Sequence, residues 1–554
     1  TAINGGSVRT AGSQTYNDAV TLGVDTTLTG TGITLGSTVD GATGATVSLT
    51  IADSGATVLN GAIGSTTALT SLSVDSANGT AINGGSVRTN GSQTYNDAVT
   101  LGVDTTLTGT GITLGSTVDG ALGTAVSLSI IDSGNTTLSG SVGGTTPLTS
   151  LTVDTQWLQF TSITTTGNVD ITTAGAQQLN DLDVGGSLTV TTGSGGSGGI
   201  SQAANTTLVV HGDTVFTADT AQQQDAVLSN AGNDFRGTVA FRNANGGSWR
   251  DLSVADAAGN LAVADVTATG LVTLGSSGVV SLQGPVTAAD LDVTAGAAIV
   301  QSGSLQASGA IALSAQGSIS LNAAITADQL DITSGASVTQ TAAMQVTHAL
   351  SIDAQGAVSL GASTQAGSLA ITSQGNVTQA GPLVVTGVSA IDAGTGIVTL
   401  DDAANDFGGT LTLTAASATI VDGAGGLVLG NIETTVGGLF VQSDNGPITQ
   451  APQSLIITKA DSSFTALVNG GAADILLGNA NNNFRGELVV AGANVQVTDI
   501  NVTLGGCAFW HAVISIKKQP GEGKNALLAA LSVMDLKHVV VVDDDIDVFD
   551  PTEV

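Results

Sequence analysis

The chain has 554 residues, 44 acidic against 11 basic side chains and a formal net charge of −33, which argues against nucleic acid or anionic lipid as a partner. Aromatic residues are 3%, charged residues 10%, and glycines number 76, yet Leu, Val and Ile stay plentiful. That excludes both a disordered chain and an ordinary set of globules, and leaves a thin core of small, β-branched side chains.

In chain order, the first feature is a repeat. Residues 1–79 open with TAINGGSVRTAGSQTYNDAVTLGVDTTLTGTGITLGSTVDGA, and from Thr80 the same text returns with Asn90 in place of Ala11. The period is 79, and the near identity points to a recent duplication. The chain begins at Thr1 in mid-pattern, without Met, and reads as an internal fragment. Residues 1–158 form one region built on this repeat, and residues 159–504 form its continuation.

In the second region the period is 39. Leu291–Thr294 returns as Leu330–Thr333 and again as Leu369–Thr372, and Gln301, Gln340 and Gln379 keep the same spacing. An approximate divisor of about 20 suits one coil of a parallel β-helix, with two coils making 39 residues and four making 79. Strings such as SLTVTT, GAIALSAQGSISL and GGTLTLTAASATIV alternate apolar and small polar residues, as half-buried strands do. Gly, Asn and Asp punctuate them where the chain must turn. No amphipathic helix is expected before residue 523. The expected fold class is all-β, a parallel β-helix with a short C-terminal α/β tail.

Three corners share a motif: Asn230-Ala-Gly-Asn233-Asp234-Phe235, Asp402-Ala-Ala-Asn405-Asp406-Phe407 and Asn479-Ala-Asn-Asn482-Asn483-Phe484. One reading is a cation site built from Asp and Asn oxygens. The other is a structural corner, in which Asn turns the chain and Phe plugs the coil. Few carboxylates are supplied for an ion that prefers six to eight oxygens, which favours the structural reading. A carbohydrate-cleaving β-helix needs paired carboxylates in one groove. Asp256, Asp290 and Asp292 are available, but the Lys, Arg, Tyr and Trp that would hold sugar are nearly absent. His211 and His348 are far apart and read as surface or corner residues, and Asp170, Asp181 and Asp183 as solvated strand positions. No catalytic, cofactor-binding or metal-binding residue is assigned, and no cofactor is expected.

The block GSVRTAGSQTYNDAVTLGVDTTLTGTG resembles repeats in very large bacterial surface proteins of the filamentous haemagglutinin type. The resemblance implies a right-handed β-helical stalk outside a Gram-negative cell, associated with its outer membrane. It also implies export by two-partner secretion or as an autotransporter, and a role in adhesion or biofilm formation. The partners so implied are a host-cell or matrix surface or other adhesin chains, without direct membrane insertion of this piece. A polysaccharide-binding β-helix is the non-adhesive alternative for the same architecture.

At Gly505 the composition breaks. Residues 505–554 hold four of the chain's five lysines and its one cysteine, Cys507, beside Trp510 and His511, so no disulfide can form within the chain. HAVISIKK and HVVVV read as buried strands, and GEGKNALLAALSVMDLK between them as a helix with Ala526, Leu527, Ala530, Leu531 and Met534 on one face. PGEGKN fails the phosphate-loop pattern, and Asp543, Asp544 and Asp545 read as a solvated strand end. The segment from GGCAFWHAVISIKK to DIDVFDPTEV resembles the C-terminal region of UbiD-type, prenylated-flavin-dependent decarboxylases. In that family the flavin pocket, metal ligands and proton-transfer network come mainly from upstream segments, and nothing in residues 1–504 resembles these. The tail is therefore expected to be an inactive fragment, joined to the stalk by gene fusion or as an artefact.

Overall fold

A computed structural model describes residues 1–500, apart from 194 and 197, together with the strands Thr503–Leu504, Ala508–Ile516 and Val539–Val541. Among the described residues every regular element is a strand. The chain divides into two compact units, Thr1–Ala288 and Ala289–Val554. Each is a parallel β-solenoid of about 20 residues per coil.

In the first unit, one inward row runs Leu28, Ile51, Val74, Tyr95, Leu114, Leu138 and Phe160, each paired in parallel register with the next. All seven are buried. The period-2 pattern in the sequence is what puts them there. In Thr26–Gly30 and Leu49–Asp53 alternate residues point into the coil, and the Thr and Ala between them point out. Three strands make a coil. Glycine is required at some corners: Gly64 and its repeat equivalent Gly143 have φ of 68° and 71°, where a side chain is disfavoured.

The pairing corrects the expectation that four coils make 79 residues. Counting the bridge at Ile63 as one position, Ser86–Arg88 stands eleven strand positions after its equivalent Ser7–Arg9, one short of four coils of three.

In the second unit the 39-residue period does correspond to two whole coils. Leu291 pairs with Ile311, Ile311 with Leu330, Leu330 with Leu350 and Leu350 with Leu369. Gln301, Gln340 and Gln379 lie in one row, alternating with Leu321 and Leu360. The same register explains how so acidic a surface is tolerated. Asp292 and Asp331 are separated by Ala312, and Asp353 and Asp392 by Thr372. A neutral residue thus stands between the two carboxylates of each pair, and these like charges do not stack directly at about 4.8 Å.

At the C-terminal end, Ala508–Ile516 runs parallel to Glu487–Asp499, from Ala491 opposite Ala508 to Asp499 opposite Ile516. Val539–Val541 runs parallel to it in turn. The two strands expected of the tail are thus parallel neighbours. The helix expected between them, Cys507, the PGEGKN turn and Asp543–Asp545 lie outside the described residues.

Candidate functional site at the asparagine corners

The three motif corners share one hydrogen-bond arrangement. Asn233 donates from Nδ2 to Gln202 Oε1 at 3.0 Å and to the Leu228 carbonyl at 3.1 Å. Its Oδ1 accepts from Gln202 Nε2 at 2.7 Å and from the Leu208 N–H at 3.1 Å. Asn405 does the same with Gln379, the Leu400 carbonyl and the Leu383 N–H. Asn482 repeats it with Gln450, the Leu477 carbonyl and the Ile456 N–H. All three asparagines have 0% exposure. Their amides are fully engaged inside the coil, as buried polar groups must be.

Each corner leads to a phenylalanine that fills the coil interior, and Phe235, Phe407 and Phe484 are each 1% exposed. Their N–H groups donate to a buried carboxylate one coil further on. The distances are 3.0 Å for Phe235 to Asp256, 3.0 Å for Phe407 to Asp422 and 3.1 Å for Phe484 to Asp499. Asp256, by sequence a candidate sugar-groove carboxylate, is the backbone acceptor of a corner. Sequence reading found the Asn and the Phe but missed their Gln and Asp partners. The Gln lies 31, 26 or 32 residues before its Asn, a spacing too irregular to show as a motif.

Two of these three buried carboxylates, Asp256 and Asp422, have raised pKa values. Burial raises the pKa of Asp256, against the lowering effect of N–H groups from Phe235, Gly259 and Ala258. Burial pushes Asp422 up to about 6, and nearby Asp406 and Asp444 add to it against the Phe407 N–H. Oδ2 of Asp422 is buried without a hydrogen-bond partner. A carboxyl raised in the folded state favours the protonated fold. Its stabilisation is complete below the unfolded value near 4 and is lost as pH rises through about 6. Asp422→Asn is therefore expected to remove on the order of 2 kcal/mol of pH-dependent stability between pH 4 and 7. Denaturant melts of both proteins at the two pH values check this, and an unchanged difference would contradict it.

Exposed aspartates have a different task. Asp25 accepts the Ser48 N–H, Asp104 that of Ser127, Asp181 that of Thr207 and Asp213 that of Thr238. In the second unit Asp290 accepts from Ala310, Asp461 from Glu487 and the half-buried Asp474 from Asn494. Each carries the ladder through a corner where strand pairing lapses. The N–H and hydroxyl of Thr238 hold Asp213 below the usual carboxylate range. Much of the acidity is thus structural. Asp170 stands outward between Thr152 and Thr189, and Asp292 outward beside Ala312.

Neither histidine meets the other. His211 Nδ1 is 3.1 Å from Arg236 and its Nε2 3.7 Å from Asp183, on the surface. His348 Nδ1 is 2.5 Å from Asp328, also exposed. Among the described residues, no group of three or more His, Cys, Asp or Glu side chains is placed to hold a metal ion.

Comparison with known proteins divides the chain. Residues 484–554 match the 3-octaprenyl-4-hydroxybenzoate carboxy-lyase C-terminal domain, a match that begins ahead of the compositional break at Gly505. The chain is 57% identical over 60 residues to the anhydromevalonate phosphate decarboxylase of Methanothermobacter thermautotrophicus, covering 10% of this chain and 14% of that protein. It is 49% identical over 65 residues to the Methanosarcina mazei protein of the same name, covering 11% and 15%. The chain thus spans about one seventh of the length of these curated relatives. No solved structure matches. The remaining match covers half of the chain, at residues 166–242, 269–327, 347–414 and 415–491, which fall on the coils and include all three asparagine corners. By that match the chain belongs to the family of repeats of unknown function DUF5649.

Proposed function

We propose that this chain is part of the extracellular stalk of a large bacterial adhesin, structural and adhesive rather than catalytic, at the outer surface of the cell. The observation that carries the reading is how its polar groups are employed. Buried Asn and Asp and half-buried Gln at the corners, and Asp along the edges, bind backbone or one another. A solenoid so held is a spacer whose coils can be multiplied without disturbing a unique site. Its partners are then a host-cell or matrix surface or further adhesin chains. Microspheres coated with the full chain should attach to cultured epithelial cells or matrix-coated plastic several-fold more than albumin-coated ones. Equal attachment on every surface would sink the adhesive part.

The second reading is a decarboxylase, favoured by the match over residues 484–554. The prenylated-flavin and metal sites of UbiD-type enzymes come mainly from segments upstream of that part, where this chain is coiled solenoid, so the residues present do not fit the cofactor. The purified chain is expected to lack flavin absorbance and to release no CO2 from anhydromevalonate phosphate. Turnover of that substrate would overturn the non-catalytic assignment.

A further inference from the structure

The 79-residue repeat and the three-stranded coil are out of step. The first face of the coil carries Ser7–Arg9, Thr26–Gly30, Leu49–Asp53, Leu72–Ser76, Gln93–Tyr95 and Ile112–Leu114, each paired to the next. Another face carries Val20, Val39, Ile63, Val87, Leu107 and Ile130 in register. Leu28 therefore lies on the first face, while Leu107, its equivalent 79 residues on, lies on the other. The local pairing is nonetheless copied faithfully. Leu28 stacks on Ile51 and Leu107 on Ile130; Arg9 stands beside Thr29 and Arg88 beside Thr108.

We propose that the 79-residue unit is a face-turning repeat: each copy presents the same outward side chains a third of a turn round the solenoid axis from the copy before. Eleven strand positions per unit against three per coil produce the offset, and three copies would restore the starting face. The outward set contains the region's two basic residues, Arg9 and Arg88, both exposed and without an ion pair among the described residues. A receptor reading this set meets it from two directions, so one rigid partner cannot engage both copies at once, whereas separate partners can. The 39-residue repeat does the opposite. It returns Asp292 and Asp331 to one row of one face. The inference rests on strand register alone and stands whether or not the chain is adhesive.

Spin-label distances test it in the full chain, with Cys507→Ser to remove the native thiol. Thr27, Thr106 and Thr113 all point outward. Thr27 and Thr113 lie on one row four coils apart, through Thr50, Ser73 and Thr94. Their backbones should be about 19 Å apart, four steps of about 4.8 Å. Thr106 is nearer in sequence but on the other face. The Thr27→Cys/Thr106→Cys pair should therefore give the longer distance. An equal or shorter distance for that pair would overturn the proposal. A label-free variant reads the same register. Ser73→Cys with Thr94→Cys, outward neighbours one coil apart, should oxidise to a disulfide. Failure to do so in protein with native circular dichroism would also overturn it.

Discussion

Phe407→Ala is expected to destabilise its corner by about 3–5 kcal/mol, the usual cost of emptying an aromatic site in a close-packed core. The ring is buried, and its strand pairs Phe407 with Val385 and hangs on Asp422 through the Phe407 N–H. No flexible surface can collapse into the space, because the wall is a ladder of strands. The loss should stay local, since each coil touches only its neighbours. Hydrogen exchange should show Leu383–Val385 and Thr410–Ala415 losing protection while Asp290–Ala295 keeps it. Uniform loss across the second unit would mean that its coils unfold as one. Asn405→Ala should approach the same cost by another route. It leaves the buried Leu383 N–H without its acceptor, at roughly 1–3 kcal/mol, and takes one partner each from the nitrogen and oxygen of the half-buried Gln379 amide, whose nitrogen keeps the Gly381 carbonyl.

Gly446→Ala should cost on the order of 3 kcal/mol, at the upper end of overpacking effects. A Cβ there would overlap the Gly425 carbonyl oxygen and lie 2.7 Å from the Gly426 Cα. Both obstacles are backbone of the adjacent coil, so no rotamer change relieves them, and two coils must move apart. Gly471 is the control in the same unit, because the nearest atom to its added Cβ is 3.5 Å away. Thermal melts should separate the variants by several degrees, with Gly471→Ala close to the parent. Equal midpoints would mean that the coils are more loosely stacked at Gly446 than the close approach implies.

The strands, the coil length near 20 residues and the double-coil meaning of the 39-residue period are all legible in the order of residues. Each follows from local chemistry: alternation fixes which side chains of a strand face inward, and a recurring apolar row must stack on itself. The sequence also showed that the phenylalanines of the three asparagine corners would turn inward, as Phe235, Phe407 and Phe484 do. The resemblance of the tail to UbiD-type enzymes was legible as well, since it rests on a continuous string of residues. Which groups close the corners emerges only when the coils are stacked. Gln379 and Asn405 are 26 residues apart, and Asp422 meets Phe407 from the next coil. Those separations depend on corner lengths that differ from coil to coil. The same lengths decide the face on which a repeat lands. A period-2 pattern says whether a residue points in or out, but not which third of the coil its strand occupies. That depends on the running sum of every strand and corner before it, so two 79-residue blocks can share the same local strand pairing and still face different ways.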